Sequence, residues 1–405
     1  MAKNSSDKGK SAKKPSSAQN KSASPVGDAF GKAKDWLKAH NIYSKKFYKK
    51  HGKGKSWIAK FATSFVAMLT TVVVVAVVLI NVYGARYGLG FFEAVDILAK
   101  VMRSNDNVQR NNEELGISNE AEKMYTGVKN IMLYGIDSRT MSEESRSDAI
   151  MMLTIDMDNK KIKMTSFARD TYVTIPGYYK DKLNHAFVLG WHKTGNIADG
   201  ATLSMNTINS NFDLNVKDYI TVNFWALADI IDYIGGVEID VSAAERRDIN
   251  WRLIPHIQDM GIKCEKIPTT GLQLLSGGQA LAYCRERYID GDVERGARQR
   301  EVLTAMFAKA GALDSTMYTG LLQLLLSECK TSLEFSQLWD LGMWAAGNMS
   351  SVKVENLGLP TADIDNGGTY INGVWYYTYD LDKAKQKIQE FILETPAVST
   401  EQPAQ

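Results

Sequence analysis

Arg285, Arg287, Arg295 and Arg298 crowd into residues 285–298 together with Asp290 and Asp292. A guanidinium presents a fixed fork of donors that matches phosphate oxygens, and it stays charged at any physiological pH. Such a cluster suits an anion with several phosphate oxygens. Arg285 and Arg287 are two apart and would share one face of a strand, whereas Arg295 and Arg298 are three apart and would share a helical face. Gln299 and Arg300 extend the cluster toward a helix. A solvated basic face is the plainer reading, but the surrounding chain is acidic. Residues 1–60 hold 16 Lys, no Arg and 3 Asp, a charge of +13, which against +2 for the whole chain leaves −11 for 61–405. Arginine concentrated on an acidic background points to a specific anion.

Carboxylates stand near by type. Asp137 follows an apolar run, Arg146 and Asp148 precede another, and a third run delivers Ala168-Arg169-Asp170. Strand ends are where α/β folds keep their sites. Asp137 and Asp148 would suit a hard cation such as Mg²⁺, which takes one or two carboxylates and leaves its other positions to water and phosphate. Turn formation is the ordinary role of aspartates in loops, and Arg169-Asp170 alone would read as a surface ion pair.

The elements that must position these residues alternate in type. Apolar runs at 129–134, 149–155 and 161–167 predict strands, followed by helical stretches near 201–211 and 224–234 and a strand at 238–241. Residues 279–285 read as a helix end running into a strand. Helices follow near 299–311, 318–328, 333–346 and 381–393, with last strands at 353–358 and 374–378. This alternation predicts an α/β fold built on a central mixed sheet flanked by helices. His185 and His192, seven apart with no third His nearby, are weak metal ligands. Cys264, Cys284 and Cys329 allow one disulfide with a leftover thiol, or three free thiols.

Residues 61–85 contain no Asp, Glu, Lys, Arg or His. At about 1.5 Å per residue such a run crosses the roughly 30 Å hydrocarbon layer, so 58–85 is expected to be a single transmembrane helix. The lysines before it place 1–57, a basic and largely disordered tail, inside the cell, and everything after it outside. Residues 86–125 read as an extracellular stem, 126–393 as the main domain and 394–405 as a frayed tail. The aromatic residues among the lysines of 30–56 would suit an anionic inner leaflet. The tail has no arginine and no recognisable DNA-reading helix, so no nucleic acid partner is expected.

Taken together, GIDSR (135–139), SRSDAIM (145–151), TSFARDTYV (165–173), KLNHA (182–186), IDYIGGVEIDV (231–241) and the run 271–300 resemble the ordered motifs of the LytR-CpsA-Psr family. The resemblance covers about 126–393 and implies its three-layer fold. It further implies an Mg²⁺-dependent (or Mn²⁺-dependent) phosphotransferase on the outer membrane face of a Gram-positive type of bacterium. Such an enzyme moves a teichoic acid or capsular polysaccharide from a polyprenyl pyrophosphate carrier to a peptidoglycan sugar hydroxyl, beside the lipid bilayer. Carried over by position, Asp137 and Asp148 match the metal-associated acids. Arg146, Arg169, Arg285, Arg287, Arg295, Arg298 and Gln299 match the pyrophosphate-binding positions, Arg169 and Arg287 also the catalytic ones. Asp170 and Asp292 are candidates for the base. The family usually has proline where this chain has Ala168, which loses a fixed φ before Arg169. The carrier's isoprenoid chain needs an apolar groove, for which 201–212 and 224–233 are candidates.

Two other readings compete. Water in place of the sugar would make the protein a polyprenyl pyrophosphate phosphatase, separable by product analysis with and without peptidoglycan. A non-enzymatic envelope sensor or transcriptional regulator would depend on residues 1–56, and deleting them tests it.

Overall fold

A computed structural model describes residues 110–394, apart from 139, 141–142, 315–316 and 349–350. The expected basic tail 1–57, membrane span 58–85, the stem before 110 and the C-terminal tail from 395 on fall outside the described residues. No described helix is long and apolar enough to cross a membrane.

The strands are β1 (Lys129–Ile136), β2 (Ser147–Asp156), β3 (Lys161–Phe167), β4 (Tyr172–Thr174), β5 (Lys180–Lys182), β6 (Asp218–Asn223), β7 (Val237–Val241), β8 (Gly271–Leu275), β9 (Lys330–Thr331), β10 (Lys353–Leu359), β11 (Asp365–Ile371) and β12 (Val374–Tyr379). The helices are α1 (Asn119–Met124), α2 (Leu183–Trp191), α3 (Ile197–Phe212), α4 (Phe224–Tyr233), α5 (Ala243–Asp248), α6 (Ile254–Asp259), α7 (Gly277–Arg285), α8 (Asp292–Gly311), α9 (Met317–Glu328), α10 (Phe335–Asn348) and α11 (Leu381–Leu393). A π-helical turn, Ile249–Leu253, joins α5 to α6.

One mixed sheet, in the order β10-β3-β2-β1-β6-β9, organises the body. β2 runs antiparallel to both β1 and β3, while β6 lies parallel to β1 and β10 parallel to β3. Alternate residues of a strand face opposite sides, and here both sides are apolar. Met132, Tyr134, Ile150 and Met152 pack with α2, α3 and α11, and the Tyr134 and Phe187 rings lie 5.2 Å apart. Ile131, Met151, Leu153 and Met164 pack on the other side with Leu303 and Phe307 of α8 and Trp344 of α10. The result is helix, sheet, helix, the α/β architecture that unbroken apolar strands demand. A third cluster ties α4, β7, β8 and α7 together.

Residues 110–125, expected as a stem, contribute Leu115, Ile117, Ala121 and Tyr125 to the first of these cores. The expected strand at the end of 279–285 is corrected. α7 begins at a capping box, in which Ser276 accepts from the Gln279 N–H and the Gln279 side chain accepts from the Ser276 N–H, and it stays helical to Arg285. Glu286 then turns the chain into a loop, its carboxylate accepting from the N–H groups of Tyr288 and Ile289.

Candidate active site

The sheet brings three motifs to one edge. Because β2 is antiparallel to β1 and β3, the ends of those two strands lie beside its start. Asp137 follows β1, Asp148 is the second residue of β2, and Arg169 comes just after β3. The β1–β2 register shifts between Gly135 and Ile136, a bulge that re-aims the residues beyond it. Gly135 is required there: a Cβ would stand 2.9 Å from that of Ala149. From the other direction comes α8, whose first residue, Asp292, follows Gly291 at φ 108°.

Charge is interleaved at this edge. Arg169 Nη1 donates to Asp148 Oδ1 at 2.8 Å, and Arg295 Nη2 donates to the Asp148 carbonyl at 3.2 Å. Asp292 is surrounded by guanidinium groups, with Arg295 at 3.0 Å, Arg169 at 3.6 Å and Arg287 at 3.9 Å. Asp170 pairs with Lys182 at 2.9 Å and lies 3.7 Å from Arg169. The buried Nε atoms of Arg169 and Arg295 find no hydrogen-bond acceptor among the described residues. Burial opposes the charge of Arg169, but the carboxylates of Asp148, Asp292 and Asp170 outweigh it and make the group more basic than usual. For Arg295 burial prevails over Asp292 and lowers basicity. Both still carry their charge at neutral pH.

Behind this edge opens a cavity of about 700 Å³, mostly apolar. Phe224, Leu227 and Ile230 of α4, Met306 and Phe307 of α8, and Leu325 of α9 line its depth, while Asp137, Asp148, Arg169, Arg285, Arg287 and Arg295 line its polar end. Among the described residues Arg285 has no carboxylate in hydrogen-bonding contact. Its contacts are the Phe224 ring at 4.4 Å, Met260 Sδ at 3.2 Å and His256 Nε2 at 3.3 Å. Burial makes it less basic than usual. A second, polar cavity of about 540 Å³ shares Asp137, Asp148 and Arg169 with the first and is lined beyond them by Arg146, Asp170, Lys182 and His185.

The expected site residues thus divide. Asp137, Arg146, Asp148, Arg169, Asp170, Arg285, Arg287, Asp292 and Arg295 converge on the two cavities or on the ion network between them. Gln299 lines the apolar cavity and donates to the Cys284 carbonyl at 3.4 Å. Arg298 lines neither cavity. It is buried, bonded to Glu245 at 2.8 Å and held by both carboxylate oxygens of Asp290. Arg300 reaches Ser166 Oγ. Of the two proposed groove segments, 224–233 lines the cavity, whereas 201–212 packs into the core on the opposite face of the sheet. Arg252, carried on the π-helical turn, and Tyr288 were not anticipated. They line the apolar cavity with the guanidinium 4.1 Å from the ring, and no motif around Arg252 signals this.

All three cysteines are buried free thiols. Burial raises Cys264 to about 11 and Cys284 and Cys329 to about 12, values that make them packing groups. As for a metal, no cluster of three or more His, Cys, Asp or Glu side chains suited to an ion occurs among the described residues. Among the described carboxylates, Asp137 and Asp148 are the two that line both cavities, and Mg²⁺ is commonly held by one or two carboxylates and completed by water and substrate phosphate. The donor set therefore fits an ion shared with a phosphorylated substrate.

Comparison with known proteins identifies the family and the fold. The LytR_cpsA_psr family model matches residues 93–391. A polyisoprenyl-teichoic acid–peptidoglycan teichoic acid transferase TagU of Oceanobacillus iheyensis is 33% identical over 254 residues, 61% of this chain and 70% of that protein. The TagU of Bacillus subtilis strain 168 is 26% identical over 317 residues, 77% of this chain and 90% of its own length. Among solved structures, TagT bound to LI-WTA superposes with a TM-score of 0.53 at 26% identity, covering 71% of this chain and 98% of that one. YwtF (TagT) with bound octaprenyl pyrophosphate lipid gives a TM-score of 0.50 at 25% identity, with the same coverage of both chains.

Proposed function

We propose, for a chain that belongs to the LytR_cpsA_psr family, that it transfers a glycopolymer phosphate from a polyprenyl pyrophosphate carrier to a sugar hydroxyl of peptidoglycan. The observation that carries this reading is one cavity with two chemistries: a deep apolar interior ending in Arg285, Arg287 and Arg295. An isoprenoid chain needs the first and a pyrophosphate the second. That relatives are named teichoic acid transferases, and that one is described with octaprenyl pyrophosphate, supports the choice of ligand.

In this reading the lipid lies among Leu227, Ile230 and Phe307, and the arginines take the pyrophosphate oxygens. The acceptor oxygen attacks the phosphorus nearer the glycan, the bond from that phosphorus to the bridging oxygen breaks, and polyprenyl phosphate leaves. Arg169, fixed by Asp148, and Arg287, loosely held by Asp292, stand where charge builds up. Pre-placed cations at such points supply most of the stabilisation in phosphoryl transfer. Mg²⁺, held by Asp137 and Asp148, would add charge neutralisation on the same phosphate. Residues 58–85 would anchor the chain, with the domain outside the cell and beside the carrier's bilayer.

The test is reconstitution of the full chain in detergent with lipid-linked glycan and peptidoglycan. A new phosphodiester between the two is the expected product. Release of glycan phosphate with or without peptidoglycan would instead identify a pyrophosphate phosphatase.

A further inference from the structure

The polar cavity holds a dyad that the fold builds with care and that the reading above leaves unused. His185, in the first turn of α2, has its Nδ1 2.6 Å from Asp181 Oδ2. Asp181, on β5, is 7% exposed. Its other oxygen accepts from the Lys182 N–H at 2.8 Å and the Tyr376 hydroxyl at 3.1 Å. Tyr376, on β12, is itself steadied by the Tyr172 ring at 4.8 Å. A carboxylate so held accepts a hydrogen bond from Nδ1–H, which leaves the lone pair on Nε2. Burial opposes ionisation of Asp181, but the hydrogen bonds from His185, Lys182 and Tyr376 outweigh it and hold the carboxyl below its usual range. His185 itself lines the polar cavity with Asp137, Asp148 and Arg169.

Geometry gives this dyad a task. Attacking and leaving oxygens lie roughly in line across the transferred phosphorus. If polyprenyl phosphate leaves into the apolar cavity, the attacking hydroxyl arrives from the opposite side of the shared residues, which is the polar cavity. The carboxylates beside the arginines are ill suited to take its proton: Asp292 is surrounded by three guanidinium groups and Asp170 by Lys182 and Arg169. We propose that the polar cavity is the acceptor subsite and that His185, oriented by Asp181, is the general base for the acceptor hydroxyl. This rests on the transfer reading. The hydroxyl proton passes to Nε2 as the new phosphorus–oxygen bond forms and the bridging bond breaks. The resulting imidazolium is stabilised by Asp181 and returns its proton to solvent.

The other charged groups around His185 are Glu144 and Arg146 from the segment before β2, Asp137 and Asp148 at the shared wall, and Arg169, Asp170 and Lys182.

The experiment measures single-turnover transfer by the full chain in detergent, from lipid-linked glycan to a peptidoglycan fragment, across about pH 5 to 9. Carrier binding is followed in parallel by native mass spectrometry. His185→Gln keeps a donor for Asp181 but takes no proton. It is expected to bind carrier like the wild type, to transfer about a hundred-fold more slowly or worse, and to lose the acid limb of the wild-type pH profile. Asp181→Asn, which disturbs the dyad from its other side, is expected to slow transfer with carrier still bound. A His185→Gln chain that transfers at the wild-type rate, or keeps the wild-type acid limb, overturns the role of His185 and leaves the transfer reading standing. A wild-type chain that binds carrier but makes no phosphodiester overturns the transfer reading and this inference with it.

Discussion

Arg295 and Arg298 stand one helical turn apart on α8, both buried, yet they belong to different parts of the molecule. Arg298 is saturated: Glu245 and Asp290 take its donors, and the Glu286 carbonyl takes a further bond at 3.2 Å. Those contacts outweigh burial and make it more basic than usual. Among the described residues Arg295 has one carboxylate, shared with Arg169 and Arg287, and an Nε with no acceptor. A saturated arginine holds the protein together; an under-paired one keeps capacity for a ligand's oxygens. The family resemblance sets both among the phosphate-binding positions, and what separates them is how completely the protein itself satisfies each.

That contrast can be broken from either side. The largest effect is expected on stability: Arg298→Ala strands Glu245 and Asp290 and should cost about 3 to 5 kcal/mol in denaturant unfolding, while the remaining folded protein still binds carrier. Arg287→Ala should do the reverse. Its side chain is 41% exposed, so the melting temperature should hardly move, whereas transfer should fall by about a hundred- to a thousand-fold; an unchanged rate would remove Arg287 from the site. Filling the apolar end with Leu325→Trp should weaken long-chain carrier by about ten-fold, an overpacking cost of about 1.4 kcal/mol, and leave a short-chain pyrophosphate unaffected. The smallest effect concerns acid. Burial opposes ionisation of Glu245, but Arg298 and Ser242 outweigh it and lower its pKa. The stability it contributes is thus full above the ordinary glutamate value of about 4.3 and is lost as pH falls through the lower folded value. In Arg298→Ala that part of the acid loss should shrink, as thermal melts between neutral and acid pH would show.

Much of the frame was legible. β1, β2, β3, β10 and α11 lie within two residues of their expected limits; β1 and β2, central in the sheet and covered on both faces, are the clearest apolar runs. The strand expected at the end of 279–285 is corrected to a helix that the Ser276 and Gln279 capping pair announces. β4, β5 and β9, of two or three residues each, are too short to leave a periodic pattern, and β9 is paired by β6, far away in the chain. At the site, residue types were legible and satisfaction was not. Arg298 is told from Arg295 by Glu245, 53 residues away. Likewise the apolar faces of 201–212 and 224–233 look alike in sequence. The sheet decides that one becomes core and the other the wall of a cavity.

The most direct test of the account is native mass spectrometry of the full chain extracted in detergent, wild type beside Arg285→Ala/Arg287→Ala, with polyprenyl pyrophosphate supplied. The account predicts bound polyprenyl pyrophosphate in the wild type and its loss in the folded double variant. Equal binding by both, or none by the folded wild type, would contradict it.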